Sequence, residues 1–244
     1  MQTRNSPSKR SSGFTLIELL VVVVLIGLIT AFAVPAAGKM LKGSAVPRAV
    51  NLLTDESSRA RQHALTKNRV VEMRFYLMAD PEIPGEIVAD PTTWQFRAFQ
   101  FFEIPTESIG GNSVPIPIGK QVRLPDSVIM SRLTKLSSLI GDLPIGTGAT
   151  LVAPIATVDP ELPRGVGLNY QYVAFRFLPD GTTNLLATGA PAIATSSGGV
   201  WFITLHLLED LPKTNGPAYN PPPNFVTWMI DPVAGITKYL RPGV

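Results

Sequence analysis

The sequence predicts an α+β fold: a long N-terminal transmembrane-to-amphipathic helix packed on an antiparallel β-rich head. Three observations carry that prediction. Across residues 14–38 the only charged side chain is Glu18, so the chain opens on one apolar run. Past residue 45, small and apolar residues recur every three or four positions, the period of a helix with one buried face. Everything after residue 68 is a succession of β-branched and aromatic segments separated by Pro- and Gly-rich passages. Helix first and strands afterwards is the order of an α+β protein whose helix lies on one face of its sheet.

The apolar run, residues 14–35, is long enough to cross a bilayer as a helix, which takes roughly 20 residues. Ahead of it, residues 1–13 hold Arg4, Lys9 and Arg10 and no acid. A basic leader keeps the N-terminus on the cytoplasmic side and sends the C-terminal bulk across the membrane. Ala31, Ala33, Ala36 and Ala37 offer small residues for ordinary signal cleavage, so a plain secretory signal is an open alternative. An acidic side chain at mid-membrane costs roughly 2.5–3.5 kcal/mol on insertion scales, less near the interface, so Glu18 needs a reason to be there.

Residues 36–68 continue the helix, with Gly38, Gly43 and Pro47 as points where it is expected to bend or break. Val46, Val50, Leu53, Ser57, Ala60 and Ala64 form one stripe, small enough for close approach of a sheet. Asp55 and Arg59 are spaced for an i,i+4 ion pair. Strands are then expected at 69–77, 94–103, 120–124, 128–130, 170–178, 200–208, 225–230 and 236–240. In the second, the apolar alternation breaks phase once, which predicts a β-bulge. Pro179-Asp180-Gly181 and Asp231-Pro232-Val233-Ala234-Gly235 read as turns, the latter closing a final hairpin. The passages 79–93, 141–167 and 211–224 are long for connections inside a compact domain and are expected to be functional or mobile. No composition break divides residues 69–244, which are read as one periplasmic head.

Gly13-Phe14-Thr15-Leu16-Ile17-Glu18, behind a short basic leader and ahead of an uninterrupted apolar run, resembles the N-terminal motif of type IV prepilins and type II secretion pseudopilins. The resemblance implies cleavage between Gly13 and Phe14 by a prepilin peptidase and N-methylation of Phe14. It also implies a filament in which the Glu18 carboxylate of one subunit meets the Phe14 amine of a neighbour, each offsetting the other's desolvation. Pro35 falls where many such pilins carry a helix-kinking proline. A looser resemblance covers residues 53–71 and the Phe175-Arg176-Phe177-Leu178-Pro179-Asp180-Gly181 passage. It is to the minor pseudopilin class called H, which folds as a helix against a β-sandwich-like head. The absence of cysteine departs from pilins that close a C-terminal loop with a disulfide, and points toward cysteine-free pseudopilins.

Composition narrows the function classes. At 244 residues and 45% hydrophobic content the chain buries a sizeable core even without its anchor. The formal charge of +3 comes entirely from the leader: removing its three bases from the 21 leaves 18, against 18 acids. A processed chain of balanced charge has no broad basic footprint for nucleic acid. A DNA-uptake or adhesion minor pilin remains an alternative, supported if Arg59, Arg61, Lys67, Arg69 and Arg74 share one exposed face.

Catalytic signals are scarce. His63 and His206 are the only histidines, and no zinc, P-loop or nucleophile-elbow pattern is present. Gly165-Val166-Gly167 and Ser197-Gly198-Gly199 read as turns. Asp159, Glu161, Glu209 and Asp210 read as solvated loop acids, and Asp210 and Asn215 as oxygen donors without a recognisable calcium pattern. The expectation is a structural subunit with no catalytic residues, no metal and no cofactor. It would sit in the inner membrane by one pass with its head in the periplasm and join a type II secretion-like pseudopilus as a minor subunit. Its expected partners are other pilins or pseudopilins, the prepilin peptidase, the inner-membrane assembly platform and exported cargo. The competing class is a signal-anchored periplasmic enzyme or binding domain.

Overall fold

The computed structural model describes residues 15–105, 114–125, 127–141, 151–186, 201–211 and 221–241, side chains excepted at 32–43 and 186. Helix α1 runs Leu16–Lys67 as assigned, without an interruption at Gly38, Gly43 or Pro47. Contacts divide the chain into Met1–Lys42 and Gly43–Val244.

In the second unit the predicted stripe of α1 is the buried one. Val46, Val50, Leu53, Ser57, Ala60 and Ala64 are all buried, joined by Ala45 and Ala49. Ser57 is tolerated there because its hydroxyl donates to the Leu53 carbonyl at 2.6 Å, leaving no unsatisfied donor. The expected Asp55–Arg59 pair is replaced by Glu56–Arg59 at 2.6 Å, one helical position closer. The helix ends at Asn68, whose φ of 52° is the left-handed conformation that stops a helix.

Eight strands follow among the described residues: β1 Val70–Met78, β2 Gln95–Ile104, β3 Ile116–Arg123, β4 Val128–Met130, β5 Tyr170–Phe177, β6 Trp201–Leu207, β7 Phe225–Ile230 and β8 Thr237–Leu240. They form one sheet in the order β5-β1-β2-β4-β6-β7-β8, with β3 also on β2, and every pairing is antiparallel. The anticipated bulge lies at Arg97: Tyr76 faces Ala98 and Leu77 faces Phe96, so Arg97 has no opposite number. A second irregularity separates Phe99↔Val122 from Phe101↔Ile118, where residues 119–121 of β3 stand against Gln100 alone.

The sheet curls strongly. Phe75 of β1 and Trp228 of β7 have β2, β4 and β6 between them in sheet order, yet their rings meet edge to face at 6.4 Å. Thr183, beyond β5, donates through both its backbone N–H and its hydroxyl to the Pro232 carbonyl beyond β7. The concave interior holds the main core, with Met73, Phe75, Phe96, Phe99, Phe175, Phe177, Trp201, Ile203, Leu205 and Trp228 against the α1 stripe. On the opposite face of β1, β2 and β5 a smaller apolar layer of Tyr76, Met78, Ala98, Phe102, Tyr170 and Tyr172 is covered by Leu162 and Val166.

The long connections are tied down by buried charge. Arg74 lies between Asp159 and Glu72, at 2.5 and 2.7 Å, with its guanidinium over the rings of Phe102 and Tyr172 at 4.3 and 4.4 Å. Asp159 is therefore a buried partner rather than the solvated acid expected, and it anchors the segment that covers the second face. At the bulge, buried Arg97 bonds Glu86 and lies 3.7 Å from Asp80, which also takes Arg123. These ions hold residues 80–86 against β2 and β3.

Candidate functional site

Helix α1 begins with a reciprocal cap. Thr15 stands at the N-cap and Glu18 at the third helical position. The Thr15 backbone N–H donates to Glu18 Oε2 at 2.9 Å, its hydroxyl donates to the same oxygen at 2.8 Å, and the Glu18 N–H approaches Thr15 Oγ1 at 3.3 Å. This is a capping box, which satisfies orphan donors of the first turn and suits an acid near the positive end of the helix dipole. Glu18 Oε1 takes no part in it. The acid that looks anomalous in an apolar run thus fixes where the helix starts. That N-terminus adjoins Phe14, which with Gly13 lies outside the described residues, as do Ser197-Gly198-Gly199 and Asn215.

Beyond the cap the helix is apolar on every side. Leu16, Ile17, Leu19, Leu20 and the residues to Ile29 are between 44% and 84% exposed, the mark of a helix made to be covered by lipid or by other helices. Thr30 is accommodated by donating its hydroxyl back to the Ile26 carbonyl at 2.8 Å. Pro35 lies within α1, in the part whose side chains are not described. Among the described residues no helix is long and apolar enough to cross a membrane. The apolar run is described with its side chains only over residues 16–31, short of the roughly 20 residues a crossing takes.

The two histidines have separate, local partners. His63 Nε2 lies 3.0 Å from Glu103 Oε2, linking the helix to the end of β2. His206 is fully buried, with Nδ1 2.8 Å from the Leu207 carbonyl and no partner for Nε2 among the described residues. Burial lowers its pKa, against the weaker pull of the Leu207 carbonyl and Asp210. No group of three or more His, Asp or Glu poised to hold a metal occurs among the described residues. A cleft of about 440 Å³ opens between α1 and β3, lined by Arg59, Ala60 and His63 on one side and Phe101, Lys120 and Val122 on the other.

The five basic residues considered for nucleic acid do not gather on one surface. Arg74 is buried between its carboxylates. Arg61 is spent on the carbonyls of Ala234 and Gly181, at 2.8 and 3.2 Å. Arg59 pairs with Glu56, and Arg69 lies 3.9 Å from Glu103. The role of Arg61 is invisible in the sequence, because it joins turns 120 and 173 residues away.

The helix start decides the comparison. Residues 8–34 match the prokaryotic N-terminal methylation motif. The motif indicates the type IV pilin and pseudopilin family, whose members are in general non-enzymatic structural subunits. It implies a prepilin-like chain processed by a prepilin peptidase, anchored in the membrane with a periplasmic head and assembled with other pilins. The match ends at residue 34, before the head. Neither the curated proteins nor the solved structures compared with the chain gave a match.

Proposed function

We propose that the protein is a minor structural subunit of a type II secretion-like pseudopilus. It is cut between Gly13 and Phe14, methylated on Phe14, and carried into the filament by its apolar helix. The observation that carries this reading is the Thr15–Glu18 capping box. It places the N-cap, Thr15, one residue beyond the new N-terminus and holds the Glu18 carboxylate at that end, with only Oε2 engaged in the box. There the carboxylate is placed to meet the Phe14 amine of a neighbour, and the pairing would set the axial register of packed helices. Pro35 would adjust the course of the helix as it leaves the membrane.

The H-class assignment is supported by local structure at the two passages that suggested it. Residues 53–71 form the helix end, the left-handed Asn68 and the start of β1. The Phe175–Gly181 passage forms the end of β5 and a turn with Gly181 at φ 84°. The DNA-uptake reading loses its support, since Arg59, Arg61, Arg69 and Arg74 are committed inside the head or to its acids.

The test is the N-terminal mass of the mature protein from its native membrane. A chain beginning at methylated Phe14, abolished by Gly13→Trp, supports the reading. A start at Met1 or after the apolar run overturns it.

A further inference from the structure

We draw no further inference here: the strongest candidate, the cleft of about 440 Å³ between α1 and β3 with Ala60, Phe101, Ile118 and Val122 among its lining, carries nothing because nothing in the structure shows what covers it.

Discussion

At His206 the sheet holds a buried imidazole with one nitrogen satisfied and the other without a hydrogen-bond partner among the described residues. Its folded pKa is lowered chiefly by burial, while an unfolded histidine titrates near 6.5. The unfolded chain therefore binds the proton more readily. The stability that neutral His206 contributes is present above about pH 6.5 and is lost as pH falls through the folded pKa. Urea melts at successive pH values should show that loss in the native protein, and His206→Gln should flatten this component. Arg74 obeys the opposite logic. Burial opposes its charge, but the hydrogen bonds to Asp159 and Glu72 outweigh that cost and raise its pKa. Arg74→Met strands buried Asp159 and leaves Glu72 to Arg176 alone, for a loss of about 3–5 kcal/mol in denaturant melts. Protease cleavage within 151–169 should rise with it, because Asp159 is the tie that holds this segment.

Among the elements, α1 is organised by contacts that its own sequence only half announces. Arg61 Nε reaches the carbonyls of Ala234 and Gly181, pinning the turn after β5 and the turn after β7 to the helix. Gly235, at φ 63°, packs so closely that an added Cβ would sit 2.3 Å from the Gly181 carbonyl oxygen. Arg61→Ala should cost about 2 kcal/mol by leaving those carbonyls short of a charged donor. Gly235→Ala should cost more than about 1 kcal/mol through its left-handed φ alone, with the steric conflict added. Thermal melts check both, and hydrogen exchange should localise the Arg61 effect to residues 178–183 and 231–236. At the other end of α1, Thr15→Ala removes the N-cap, worth about 1 kcal/mol to the helix start. Thr15→Ser should retain it, a difference read as subunit incorporation into filaments.

The whole molecule joins an apolar helix with little to cover it to a head that covers itself. The curled sheet brings β1 against β7, and its main core takes in Trp94, Trp201 and Trp228 with a group of phenylalanines and the α1 stripe. Residues Gly43–Val244 form a contact unit that includes the packed half of the helix. Expressed alone, they should fold cooperatively and run as a monomer in gel filtration, with one transition in denaturant. A truncation beginning at residue 69 should fail, because it removes Val46, Ala49, Val50 and Leu53 from the core.

Much of this was legible before folding. Glu18 in an apolar run, the small-residue stripe and all eight strands follow from periods of 3.6 and 2, which are local properties of the chain. The bulge could be seen as a lost beat in the 94–103 alternation, and the structure places it at Arg97. Other features depend on which distant segments meet. Asp159 looks like any loop acid until it lies against Arg74, 85 positions away. Arg61 looks like an exposed helix cation until two turns converge on it, and the α1–β3 cleft exists only where strand and helix come together. The elements, the buried face of the helix and the N-terminal motif are written in the local pattern, because these are set by nearest neighbours and side-chain periodicity. The curl of the sheet, the pairing of buried ions and the shape of the surface emerge with the fold alone, because each depends on the closure of long chain segments over one core.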